Sequence, residues 1–458
     1  MTRGLARIGR RGRNAVLVIL LAGLVATFYV VRAEQQDAAG NTSFGPTKTF
    51  KAGQTIVTLT FDDGTEDQYQ AREMLAAHGG MDATFFVNSA VIGSNPSYMT
   101  WQQLKNLDAD GNEVAGHTMN HPHLTTSDPD EAGRQVCYDR NELLAHGFPV
   151  TDFAYPYGEY NARTEAIVRN CGFNSARGTE SLGSCPSPCA APIPPPDRYA
   201  TRVVGYGPEG LTSLEKKVTQ AEKSGGGWVQ IVYHGLCTSC GVNGTSPTDF
   251  NSFLDWLQSR AASGTIVRTV QEVIGGPVQR PVPGPALPPA PNATNGTTNP
   301  SLEQDANKDG VPDCYRINSW GNQRFIWTRS TDAHTGKYAE RVDVSAYVDG
   351  ADRLQTQSDL GYCTPTVTPG HEYTLSVWYK STAPVRFSTN TRDKSFSSRY
   401  LSWRTSPSFP ASADWTQATW TTPPVADGVN GLIFALMITS DGSLTVDDVS
   451  IVDANLSP

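Results

Sequence analysis

The chain has 458 residues, 38% apolar and 18% charged, a balance that fits two globular units with connecting segments and excludes a largely disordered polymer. A formal net charge of −9 leaves no broadly basic surface, so a general nucleic-acid partner is not expected.

Five arginines (Arg3, Arg7, Arg10, Arg11, Arg13) precede an uncharged apolar run of 17 residues from Ala15 to Val31. Basic residues ahead of such a run hold the chain start at the cytoplasmic face while the remainder crosses. The run is long for a signal peptide and short for a spanning helix of about 20 residues. Residues 1–33 therefore read as either a cleaved signal peptide or a signal anchor. The body is expected to be exported, secreted or held at the membrane only through this segment, with a polar lead-in over residues 34–50.

Over residues 51–275 short apolar runs alternate with helical patterns. Ile56–Phe61, Ala83–Val87 and Trp228–Tyr233 read as strands. Asp67–His78, Trp101–Ala109, Glu131–Ala145, Ala162–Asn170, Leu214–Lys223 and Phe250–Ala261 read as helices. This alternation predicts βα units on a parallel sheet, an α/β fold of distorted (β/α) barrel type with its site at the strand ends. Residues 276–300, rich in proline, read as a semi-extended linker. Residues 301–458 change character to short β-branched and aromatic runs between Gly, Pro and Asp turns, predicting an all-β, jelly-roll-like sandwich.

Eight cysteines in an exported chain read as disulfides. Cys314 and Cys363 stand alone in the C-terminal region and form the natural pair. Cys185, Cys189, Cys237 and Cys240 have spacings that suit either disulfides, preferred in an oxidising compartment, or a structural zinc.

Three polar groups follow strands in the first unit. Thr60-Phe61-Asp62-Asp63-Gly64 places two carboxylates at a strand end, a favoured site position, although an Asp-Gly turn alone is common. His117-Thr118-Met119-Asn120-His121 spaces two imidazoles four apart, which on a helical turn would share a face and bind one cation. His123 is read as structural. Val232-Tyr233-His234 ends an apolar strand with a histidine.

With these residues the stretch 54–275 resembles the polysaccharide deacetylases, carbohydrate esterase family four, and Pro156-Tyr157-Gly158 matches a further motif. The resemblance implies removal of acetyl groups from a carbohydrate polymer by metal-activated water. Asp63, His117 and His121 would hold a divalent metal, Zn²⁺ by preference. Asp62 would be the general base, the Tyr157 backbone N–H would stabilise the oxyanion, and His234 would protonate the leaving group. The family's usual arginine before this Pro is replaced by Ala154, and its tryptophan motif is absent. Arg177 is the candidate that reaches Asp62 instead. These departures support a rival reading, a non-catalytic carbohydrate-binding or adhesion protein on a degenerate barrel.

In the second unit Asp305, Asn307, Asp309 and Asp313 place oxygens at alternate positions around a glycine turn, a pattern that suits a structural Ca²⁺. The closing strand around Leu444–Ile451 resembles those of jelly-roll carbohydrate-binding modules. Of Trp320, Trp327, Trp378, Trp403, Trp415 and Trp420, most are expected to fill the core.

Overall fold

The computed structural model describes residues 49–182, 189–239, 241–393 and 401–456. The expected signal segment, most of the lead-in, Cys185 and Cys240 lie outside the described residues.

Strand β1 (Thr55–Asp63) is buried at every position but the last, as a strand covered on both faces must be. It pairs in parallel with β2 (Thr84–Val87) and β8 (Gly227–Tyr233). Strands β3 (Glu113–Gly116), β4 (Asp152–Ala154), β5 (Ser175–Ser181), β6 (Thr201–Val203) and β7 (Gly205–Tyr206) complete the order β6-β5-β4-β3-β2-β1-β8-β7. Because β6 and β7 are consecutive in the chain yet lie at opposite ends of that order, residues 201–206 nearly close the sheet into a barrel. A small pair, β9 (Gly235–Leu236) and β10 (Gly244–Thr245), stands apart, and β11 (Thr265–Val267) joins the start of β1.

The outer helices are α1 (Ala71–Ala77), α2 (Trp101–Ala109), α3 (Pro129–Ala145), α4 (Ala162–Asn170), α5 (Leu211–Lys223), α6 (Pro247–Arg260) and α7 (Val270–Ile274). Several starts follow from local chemistry. Thr100 and Gln103 form a capping box on α2, and Asp128 caps α3 ahead of Pro129 at its first position. A disulfide from Cys137 to Cys171 ties α3 to the end of α4. Cys189 and Cys237 are also disulfide-bonded, which removes their thiolates from the structural-zinc alternative.

The Pro-rich segment differs from the expected spacer. Its carbonyls are taken up by α3: Arg140 donates to Gln279 and Arg280, Asn141 to Val282, Tyr138 to Pro285 and Arg134 to Ala286. Gly133 permits this approach, since a Cβ there would meet Pro285 at 2.8 Å. Residues 292–300, expected to be linker, instead bond to the last strand of the sandwich through Asn295, Gly296 and Pro300.

The C-terminal unit consists of two antiparallel five-stranded sheets. One runs β12 (Tyr315–Trp320), β15 (Ala351–Thr356), β20 (Val429–Ile438), β17 (Val385–Asp393), β18 (Leu401–Thr405). The other runs β13 (Arg324–Ser330), β14 (Ala339–Ser345), β21 (Gly442–Asp453), β16 (Tyr373–Ser381), β19 (Ser412–Thr421). Strict alternation on β16 sends Tyr373, Leu375, Val377 and Tyr379 inward. Cys314 and Cys363 are bonded. The tryptophans do not fill this core: none of the six is fully buried, Trp320 is 57% exposed, and only Trp327, Trp403 and Trp420 pack against its edge. Tyrosines, Phe387 and Phe434 supply the large side chains instead.

At the end of the barrel where the strands begin, Glu113 and Asp152 are buried together on β3 and β4. Burial, then the Asp152 charge, push the Glu113 pKa well above 4.5. Folded protein therefore keeps a proton that unfolded chain releases, and stability is lost as pH rises above 4.5. Glu113→Gln removes this proton linkage. Thermal unfolding across neutral and acidic pH should show a flatter stability profile for the variant than for the parent.

Candidate functional site

The site lies where the parallel strands end. Asp62 and Asp63 close β1, His117 follows β3, Tyr157 follows β4, Arg177 lies on β5 and His234 follows β8. The two imidazoles are not on a helical turn as expected. Residues 117–121 form a loop in which Thr118 and His121 take positive φ of 70° and 59°. The loop folds back so that His117 Nε2 and His121 Nε2 each lie 3.5 Å from Asp63 Oδ1. The Thr118 hydroxyl fixes this bend by accepting the His121 N–H at 2.9 Å.

His117 Nδ1 lies 2.7 Å from the Ala154 carbonyl. A carbonyl only accepts, so Nδ1 carries a hydrogen, and Nε2 is the nitrogen turned toward Asp63. Burial disfavours charge on His117, but Asp63 and Asp62 outweigh it and raise its pKa. Burial, with the His117 charge, lowers His121 to about 4. Burial pushes Asp63 up, yet its hydrogen bond to His117 and the surrounding imidazoles hold it at about 2. A carboxylate and two imidazole nitrogens, all within 4.8 Å of one another, could hold a metal ion, and among the described residues this is the one such group. Asp63 and His121 remain about 30% exposed, which leaves the open side a substrate needs.

Arg177 and Asp62 are buried together, 1% and 3% exposed. Arg177 Nη2 lies 2.5 and 2.6 Å from the two Asp62 oxygens. Arg177 is the register partner of Ala154 on the adjacent strand, so the guanidinium comes from one strand over, past a side chain too small to block it. Its cation sits 5.1 Å from the Phe86 ring centre. His234 Nε2 is 4.0 Å from Asp62 Oδ2, and its side chain is partly open to solvent. Tyr157, at φ 57°, packs edge-on against His121 and stacks on His123 at 3.8 Å. His123, read as structural, therefore borders the mouth of the site, where it also pairs with Glu159 at 2.9 Å.

Several supporting residues carried no sequence signal strong enough to name them. Gln68 donates to the carbonyls of Asp62 and His234, and Asn88 to those of His117 and Thr118. Asp139 accepts the N–H groups of Ser89 and His117. It alone was detectable, because Ala132, Val136, Asp139 and Leu143 recur at helical spacing and place a carboxylate on the apolar face of α3. The calcium candidates differ from the Asp63 trio. Asp305 accepts from Gly310, Asn307 from Asp309, Asp309 from Val311 and Asp313 from Ala306. These oxygens shape their own loop, and their carboxylates are not gathered as the trio is.

Removing one partner of a buried ion pair leaves an uncompensated charge at a cost of about 3–5 kcal/mol. Arg177→Met should lower unfolding stability by that order. The double variant Asp62→Leu/Arg177→Met should recover a large part of the loss, as denaturant titration of the cycle would measure.

Residues 50–176 match the family model for polysaccharide deacetylase. A Bacillus subtilis protein named "Putative polysaccharide deacetylase YxkH" is 30% identical over 132 residues, 28% of this chain and 47% of the relative. A chitooligosaccharide deacetylase of Sinorhizobium fredii is 33% identical over 125 residues, 26% of this chain and 55% of the relative. The chain thus spans about half the length of these curated relatives. The structure of the peptidoglycan deacetylase PdaC from Bacillus subtilis aligns at 19% identity over 48% of this chain and 90% of its own, with a TM-score of 0.33. Residues 50–176, from β1 into the start of β5 and including the strand-end Asp–His–His group, are thus the part of this chain that is similar to the polysaccharide deacetylase family.

Proposed function

We propose that the chain is an exported, metal-dependent hydrolase that removes acetyl groups from a carbohydrate polymer. The observation that carries this reading is the placement of a metal-type donor set, Asp63, His117 and His121, directly beside a second carboxylate, Asp62, held by a buried arginine. The donor set of two nitrogens and one oxygen favours Zn²⁺. When bound, such an ion supplies Lewis acidity toward a carbonyl oxygen and eases deprotonation of water.

The chain's own groups divide the remaining work. Asp62 accepts a proton from the attacking water, and Arg177 fixes the direction of that carboxylate. The backbone N–H of Tyr157 donates to the oxygen that gains charge as the carbonyl carbon becomes tetrahedral. His234 delivers a proton to the departing nitrogen or oxygen, so water and acetylated sugar become acetate and free amine or hydroxyl. Exposed Tyr157, backed by His123, offers a flat apolar surface on which a sugar ring can rest at the mouth. The chitooligosaccharide deacetylases among the relatives favour an N-acetylated substrate. Residues 1–33 would direct export or anchor the protein.

Ala154 is the observation that favours a non-catalytic sugar-binding protein, and one experiment separates the two readings. Acetate release is measured across N-acetylated and O-acetylated polymers, with and without chelator and added Zn²⁺. Asp62→Asn should lower turnover by about 10²–10⁴-fold while bound metal, measured by elemental analysis, stays unchanged. Absence of acetate from every polymer with zinc supplied would overturn the catalytic reading and favour the binding one.

A further inference from the structure

We infer that the C-terminal sandwich is part of the metal site's support, acting through Leu360 as a positioning residue for the 117–121 ligand loop; this rests on the metal-dependent reading above. Leu360 is 2% exposed and lies in one buried cluster with Ala90 and Met119, with Tyr138 packed against it. Met119 sits between the two histidines, so a side chain of the sandwich covers the underside of the ligand loop.

A hydrogen-bond route runs beside this apolar contact. The Leu360 N–H donates to Glu131 Oε1 at 2.8 Å. The same oxygen accepts from Gln135 Nε2 at 2.9 Å, and Gln135 Oε1 accepts the N–H of Asn120 at 3.0 Å. The Gln135 carbonyl accepts the Met119 N–H, and Asp139 accepts that of His117. Glu131, Gln135 and Asp139 are four apart on α3 and so form one face. That face touches the sandwich at one end and the ligand loop along the rest.

The sandwich presents Leu360 on a fixed turn. Asp359 accepts the N–H groups of Gly361, Cys363 and Thr364. Buried Arg392 donates to the Asp359 carbonyl and to Asn430, and Cys363 is bonded to Cys314. A domain that only tethered the barrel would not need a rigid, buried element beneath the metal ligands.

The test uses the full chain, stripped of metal and titrated with Zn²⁺ against a chromophoric chelator. Leu360→Asp places a carboxylate in the apolar cluster beside Glu131. It should weaken zinc binding about tenfold or more, the scale of changes to groups that orient ligands. Amide exchange at residues 118–121 should quicken in parallel. Leu360→Met should restore wild-type affinity, and Trp320→Ala, on the exposed edge of the sandwich, should not alter it. Unchanged zinc affinity in Leu360→Asp, with amide exchange at Leu360 showing the contact opened, overturns the inference. Should that variant not fold, Leu360→Ala serves in its place, and unchanged affinity there overturns it equally. Failure of the wild-type protein to bind zinc overturns the metal reading itself, a result distinguishable from the other two.

Discussion

Asp63, Thr118, His121 and Tyr157 all hold left-handed backbone, at φ between 57° and 80°, although none is glycine. Each such residue costs on the order of 1–3 kcal/mol and persists only where its surroundings leave no alternative. Much of the barrel's upper end can be understood as meeting that condition. Gln68 and Asn88 grip the carbonyls on either side, and the Thr118 hydroxyl and Asp139 hold the N–H groups of His121 and His117. The strain is what turns one carboxylate and two imidazoles toward a common point.

Helix α3 links this demand to the rest of the molecule. One face carries the groups that bind the ligand loop, another receives the Pro-rich segment, and its Cys137 is bonded to Cys171 at the end of α4. The helix is long enough, at 17 residues, to serve all three. Its buried charges are tolerable because each has a partner: Glu131 with Arg134 and the Leu360 N–H, and Asp139 with two backbone N–H groups.

The β1 strand, the main helices and the Asp–His–His group were legible because periodicity, caps and motif spacing all agree there. Strand β5 was not, because Ser175–Ser181 is largely polar and is buried to deliver Arg177 rather than to fill a core. The contact between Arg177 and Asp62 was nevertheless expected from the sequence; what linear spacing does not set is its register opposite Ala154. The histidine pair was assigned a helical face because i, i+4 spacing is the usual way two imidazoles meet, whereas a strained loop achieves the same end here. The tryptophans show the converse limit. Bulk predicts burial, but alternation on β16 sends Trp378 outward while the neighbouring tyrosines fill the interior.

The packed course of residues 279–286 changes what joining two domains means here. A flexible tether lets a catalyst sample a volume whose radius grows with linker length. With successive carbonyls fastened to α3, this segment behaves instead as a splint. Together with the Leu360 N–H on Glu131, it keeps the sandwich at one offset from the ligand loop.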